Sequence, residues 1–84
     1  PGFARGVARD VARRGITVNV VQPGPIDTEM NPAEGEGAAM LSGFVASGHY
    51  GQVHDIAAAV CLLASPQASY VNGTTLTVDG GLCA

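Results

Sequence analysis

The stretch over residues 18–31, VNVVQPGPIDTEMN, decides the fold. Its first half belongs to the run ITVNVVQ at 16–22, which is β-branched and almost wholly apolar. A strand with one wet face alternates polar and apolar residues. This run barely does, which is the pattern of a strand covered on both faces in a parallel sheet flanked by helices. Asn19 is its polar exception and is expected to be a structural residue with satisfied hydrogen bonds. The second half is a turn with two prolines around a glycine, then an acid and a threonine. Pro23 and Pro25 each fix their own φ and hold the preceding residue extended. Gly24 permits close backbone approach.

In an open parallel sheet, ligands bind beyond the carboxyl ends of the strands, and this turn leaves such an end. Ile26 can offer a backbone N–H and C=O, and Thr28 adds a hydroxyl that donates or accepts. Together they match a flat carboxamide. The residues alone weigh that role equally against a proline-braced turn, with Asp27 or Thr28 capping the segment that follows.

Working outward, residues 3–14 read as a helix. Phe3, Val7 and Val11 recur at four-residue spacing, and Arg5, Arg9 and Arg13 form a second, solvated stripe. Gly15 follows as a stop. Helix, short link and buried strand make half of a βαβ unit. Downstream, Asn31, Pro32 and Glu34 resemble a helix entry, which predicts a short, mobile helical segment over about 32–46. Residues 53–64 carry the clearest helix. Ile56, Val60 and Leu63 share a face, and the alanines, Cys61 and Leu62 make the remainder nearly apolar. Such a helix is buried on more than one side. A strand over about 74–78 closes the chain, ending at Asp79-Gly80-Gly81. The fold class is therefore α/β, in the order helix, strand, loop or helix, helix, strand.

Composition narrows the function. The chain has 84 residues, enough for one domain or less. Hydrophobic residues make up 46% and charged ones 13%, which is apolar for a small free-standing domain and implies that much of the surface meets further protein. The net charge is −3 and the only basic residues are four arginines, so no nucleic-acid footprint is present. No apolar run reaches membrane-spanning length. Cys61 and Cys83 have no metal-ligand spacing and read as reduced thiols of a cytoplasmic protein.

Two motif blocks then carry a resemblance. ITVNVVQPGPIDTEMN is similar to the strand-and-loop signature N-x-V-x-P-G-x-[IV]-x-T of short-chain dehydrogenases/reductases. GHYGQVHDIAAAVCLLASPQASYVNGTTLTVDGG resembles that family's ending, with F-L-A-S, A-S-Y-[IV]-x-G and L-x-V-D-G-G in order. Within the family the turn is close to 3-oxoacyl-carrier reductases and to a cyclic-di-GMP-binding, biofilm-dispersal type.

The resemblance implies a Rossmann-like doubly wound parallel sheet, of which residues 1–84 are the C-terminal part of a single domain. It implies NAD or NADP as cofactor. Pro23 and Gly24 would flank the nicotinamide, the Ile26 backbone would pair with its carboxamide, and the Thr28 hydroxyl would touch the same group. It implies a lid over 29–47 that covers a small carbonyl or alcohol substrate. It further implies a homodimer or homotetramer formed through the 53–64 helix and the 74–78 strand.

The family's glycine-rich phosphate loop and its Asn, Ser and Tyr-x-x-x-Lys residues have no counterpart here, and the family's Lys falls a few residues before the position of Pro1. No catalytic residue and no metal ligand is therefore expected within the chain. Its expected role is to supply the cofactor ledge, the lid and a subunit surface to a hydride-transferring parent. The alternatives are a nucleotide-binding relative without turnover, or a piece inactive alone. His49, Gln52 and Val53 depart from the family pattern of Arg, a better cap and Pro, so the start of the 53–64 helix is expected to be less secure.

Overall fold

The computed structural model describes residues 2–84. Helix α1 (Gly2–Val11) runs into a short 3-10 turn (Ala12–Arg14), and the backbone turns left-handed at Gly15. Strand β1 (Val20–Pro23) follows, then helix α2 (Glu36–Ser42), helix α3 (Val53–Ala64), a 3-10 turn (Pro66–Ala68) and strand β2 (Thr75–Val78). β1 and β2 pair in parallel, with Val20 opposite Thr75 and Pro23 opposite Val78. Parallel strands need a crossover. It runs through α2 and α3, and α3 packs against both strands.

α3 has the expected bounds. Its first turn is held by the Asp55 carboxylate, which accepts the Gln52 N–H at 2.7 Å. That bond satisfies an orphan donor and offsets the weak capping residue. Two further expectations need correction. The strand expected at 16–22 becomes regular only at Val20: before it the Val18 carbonyl still accepts the Gly73 N–H at 3.0 Å, but the Asn19 and Asn72 side chains take the neighbouring pairing positions. Asn19 Nδ2 donates to the Val71 carbonyl, its Oδ1 accepts from the Thr74 N–H, and Asn72 Oδ1 accepts from the Val18 N–H, each at 3.0 Å. Asn19 is thus a structural staple between the two strand entries.

The helix expected over 32–46 shrinks to α2. Its presumed entry is consumed by the preceding turn: Asp27 Oδ1 takes the Ala33 N–H at 2.9 Å, and Thr28 Oγ1 takes the Asn31 N–H at 3.1 Å. Helix begins only after Gly35, at φ 92°.

The core is thin. Ala8, Ala38, Val45, Tyr50, Ala59 and Ala68 are its buried apolar members. Neither strand is covered on both faces: Val20 and Val21 are half-buried. A folded chain of this mass exposes about 4,600 Å², whereas this one exposes 6039 Å². Its radius of gyration is 15.3 Å, against about 12 Å for a compact chain of this length. The surplus is apolar: α3 leaves Val53, Val60 and Leu62 at least half exposed. α3 is therefore packed on one side only. Among the described residues no helix is long and apolar enough to cross a membrane.

Candidate functional site

The loop after β1 is held on both flanks. Its first anchor is the end of β2. The Gly24 N–H donates to the Val78 carbonyl at 2.9 Å, which extends the ladder one step beyond Pro23. A Cβ on Gly24 would stand 2.6 Å from Asp79 Cβ and 2.7 Å from Asp79 Cα. The glycine is therefore required by the neighbouring strand end.

The second anchor is Gly51. It donates its N–H to the Pro25 carbonyl and accepts the Asp27 N–H, both at 2.9 Å, in a parallel bridge centred on Ile26. Along an extended backbone, successive N–H and C=O groups point to opposite edges. With Pro25 and Asp27 engaged by Gly51, the N–H and C=O of Ile26 face the other edge, and neither has a partner among the described residues. The Ile26 side chain lies over Gly51, where a Cβ would come 2.9 Å from its Cδ1. Two prolines and two anchors thus present one donor and one acceptor on a stiff ledge.

Thr28 closes the turn. It exchanges backbone hydrogen bonds with Asn31 at 3.2 and 3.3 Å, and its Oγ1 accepts the same Asn31 N–H. The hydroxyl proton is left to donate outward from an exposed side chain. Asp27 spends its Oδ1 on Ala33. The bracing role weighed for Asp27 and Thr28 is therefore present, and it leaves the outward donor of Thr28 intact.

Behind the ledge lies an open cleft of about 330 Å³, bordered by Pro25, Ile26, Ser47, His49, Asp55 and Asp79 among others. His49 and His54 are both exposed, and His49 Nδ1 lies 2.8 Å from the Tyr50 carbonyl. Among the described residues no cluster of three metal-ligating side chains occurs.

The Asp79-Gly80-Gly81 turn supports the cleft from the other side. Asp79 Oδ1 accepts the Gly81 N–H at 2.9 Å and Oδ2 accepts the Cys83 N–H at 3.1 Å. The Gly81 hydrogen bond, with smaller help from Cys83 and Leu82, holds the carboxyl below its ordinary value of 3.8 against an opposing desolvation effect. In return, the hydrogen bond to Asp79 pushes the Cys83 thiol up. A depressed carboxyl stabilises the fold fully above its unfolded value and loses that contribution as pH falls through its folded value. Thermal unfolding followed from pH 6 down to below 3.8 should show a stability loss whose last part, below the ordinary value, is absent in Asp79→Asn. An identical acid profile in that variant would remove Asp79 from the account.

The family model described as Enoyl-(Acyl carrier protein) reductase matches residues 1–83. A short-chain dehydrogenase/reductase from Serratia marcescens BCRC 10948 superposes with a TM-score of 0.96 at 53% identity, over 99% of this chain and 34% of that one. The chain belongs to the short-chain dehydrogenase/reductase family. The structure of a blue fluorescent protein from a metagenomic library, in complex with NADPH, is similar at 55% identity and a TM-score of 0.95, again over 99% and 34% of the two chains. The cyclic-di-GMP-binding biofilm dispersal mediator protein of Escherichia coli K12 is 53% identical over 79 residues, covering 94% of this chain and 33% of its own length. The chain thus spans about a third of the length of the curated relatives it matches.

In this short-chain dehydrogenase/reductase chain, Pro23, Gly24, Ile26 and Thr28 fall on one continuous ledge. Of the four, Ile26 alone borders the cleft behind it. Sequence reading missed the two anchors, Gly51 and Asp79. The available signal was the pair of glycine-containing stretches, YGQ at 50–52 and DGG at 79–81. Local sequence says that such positions allow close contact, but not with what.

Proposed function

We propose that this chain is the C-terminal part of a single Rossmann domain in an NAD(P)-dependent oxidoreductase, and that its ledge receives the nicotinamide carboxamide. The observation that carries the reading is the pair of unpartnered backbone groups on Ile26. The two lone pairs of a carboxamide oxygen can accept from the Ile26 N–H and the Thr28 hydroxyl, and the amide N–H can donate to the Ile26 C=O. Pro23 and Gly24 then lie beside the ring. A ledge already rigid before binding loses little entropy on holding the cofactor. Pro23, Gly24, Ile26 and Thr28 would hold the nicotinamide, which when bound would supply hydride-transfer chemistry toward a substrate carbonyl. The ledge orients the ring for that transfer, and the segment over 29–47 covers the substrate. The NADPH held by the 55% identical structure makes NADPH the first cofactor to test. The exposed face of α3 and the open edge of β2 are the surfaces through which copies of the protein would join as a homodimer or homotetramer.

The test uses the complete protein. Thr28→Val should weaken NADPH binding roughly fivefold, the equivalent of one hydrogen bond of about 1 kcal/mol, while Thr28→Ser binds as the parent does. Thr28→Val binding NADPH normally, with lowered thermal stability alone, would leave only the bracing role. A second reading, nucleotide binding without turnover, is favoured by the name of the Escherichia coli relative. Calorimetric binding of cyclic-di-GMP, with no carbonyl reduction at saturating NADPH, would select it.

A further inference from the structure

We infer that Asp27 is a positioning residue that ties the substrate-covering segment to the cofactor ledge. The inference rests on the covering role proposed for 29–47. Asp27 is held on one side and holds on the other. Its backbone N–H donates to the Gly51 carbonyl at 2.9 Å, in the bridge that fixes Ile26. Its half-buried side chain reaches six residues on, where Oδ1 accepts the Ala33 N–H at 2.9 Å. Between those two bonds the chain leaves the ledge and turns toward α2.

The carboxylate sets the direction of the segment. Thr28 and Asn31 exchange backbone bonds at 3.2 and 3.3 Å, so the intervening turn is closed on itself. Pro32 has no N–H, fixes its own φ and keeps Asn31 extended. The first N–H beyond the turn is that of Ala33, and Asp27 takes it. α2 begins shortly after, at Glu36. The far end of the segment is tied separately, by the Ser47 N–H on the Gly80 carbonyl at 2.9 Å. Its entry therefore answers to Asp27, through a hydrogen bond to a charged acceptor, which is about twice as strong as a neutral one. The ledge does not need that carboxylate. Ile26 is fixed through the backbones of Pro25 and Asp27 on Gly51, and any residue with an N–H at position 27 supplies the second of those bonds. Removing the side chain thus separates the two roles: the cofactor stays held while the cover over the substrate slackens. A small misplacement of such a cover costs turnover far more than stability.

The experiment measures NADPH binding, and NADPH oxidation with ethyl acetoacetate, in the complete protein. Asp27→Ala should raise KM for the ketone about tenfold, as expected for one lost hydrogen bond to a charged group, with the Kd for NADPH unchanged. Asp27→Asn keeps an acceptor oxygen at the same reach and should restore most of the parental KM. Ala33→Pro removes the donor and leaves Asp27 in place. It should show the same split, and it decides the matter where Asp27→Ala fails to fold. Hydrogen exchange adds a readout without turnover: amides over 29–36 should lose protection in Asp27→Ala, and those over 20–26 should keep it. A parental KM in both Asp27→Ala and Ala33→Pro, or NADPH binding weakened as much as ketone binding, would overturn the inference and leave the oxidoreductase reading standing. No NADPH oxidation by the unmodified protein would overturn both.

Discussion

Gly24→Ala is expected to destabilise the protein by about 3 kcal/mol, the upper end of ordinary overpacking. The added methyl would meet Asp79 Cβ at 2.6 Å and its Cα at 2.7 Å, and a backbone atom at the end of a paired strand cannot swing aside as a side-chain tip does. Relief requires β1 and β2 to part at their carboxyl ends, breaking the 2.9 Å bond from Gly24 to Val78. Urea denaturation reads the effect as a lowered midpoint. Gly37→Ala is the matched control. It lies within α2 with nothing within 4 Å of the added Cβ, so it should be neutral or stabilising by up to about 1 kcal/mol. Equal midpoints for the two variants would mean that Gly24 does not touch the end of β2.

Gly80→Ala carries the second large effect, for two reasons that add. Its φ of 63° lies in the left-handed region, which costs an L residue roughly 1 kcal/mol or more. The new Cβ would also stand 2.5 Å from Ser47 Oγ and 2.7 Å from Val45 Cγ1. Val45 is one of the few buried side chains, and the Ser47 N–H donates to the Gly80 carbonyl at 2.9 Å. The substitution therefore presses the whole 45–51 segment off the end of β2, at a total of about 2–4 kcal/mol. Limited proteolysis should locate the damage between α2 and α3. Adding Ser47→Gly removes one of the two clashes, so the double variant should recover part of the loss, as contacting residues do in a cycle. Strict additivity of the two substitutions would count against this packing. Because Gly51 anchors the Ile26 ledge from the same segment, cofactor affinity should fall with stability in Gly80→Ala.

These variants show where local reading succeeds and where it stops. The α3 helix was legible to the residue. An apolar repeat over twelve positions, an acid in the first turn and Ser65-Pro66 at the end are all local signals. The entry to β1 was misplaced because ITVNVVQ is equally apolar throughout. What keeps the regular ladder from starting before Val20 is a pair of asparagine side chains more than fifty residues apart in sequence, interposed beside a single backbone bond from Gly73 to Val18. The helix entry at Asn31-Pro32-Ala33-Glu34 has the right residue types, yet Asp27 and Thr28 had already taken its amides. A motif read in isolation does not show which donor is spent elsewhere.

The sequence by itself determined the element types, the parallel α/β class and the position of a stiff, proline-framed turn after the first strand. Those follow from periodicity, capping and fixed φ values, which act over a few bonds. Only the tertiary structure decided that Gly24 answers to Asp79, that Gly51 ties down Pro25 and Asp27, and that the amide and carbonyl of Ile26 are consequently left facing outward. That outcome depends on which backbone edge a distant segment occupies. The choice is set by packing between elements and has no local signature.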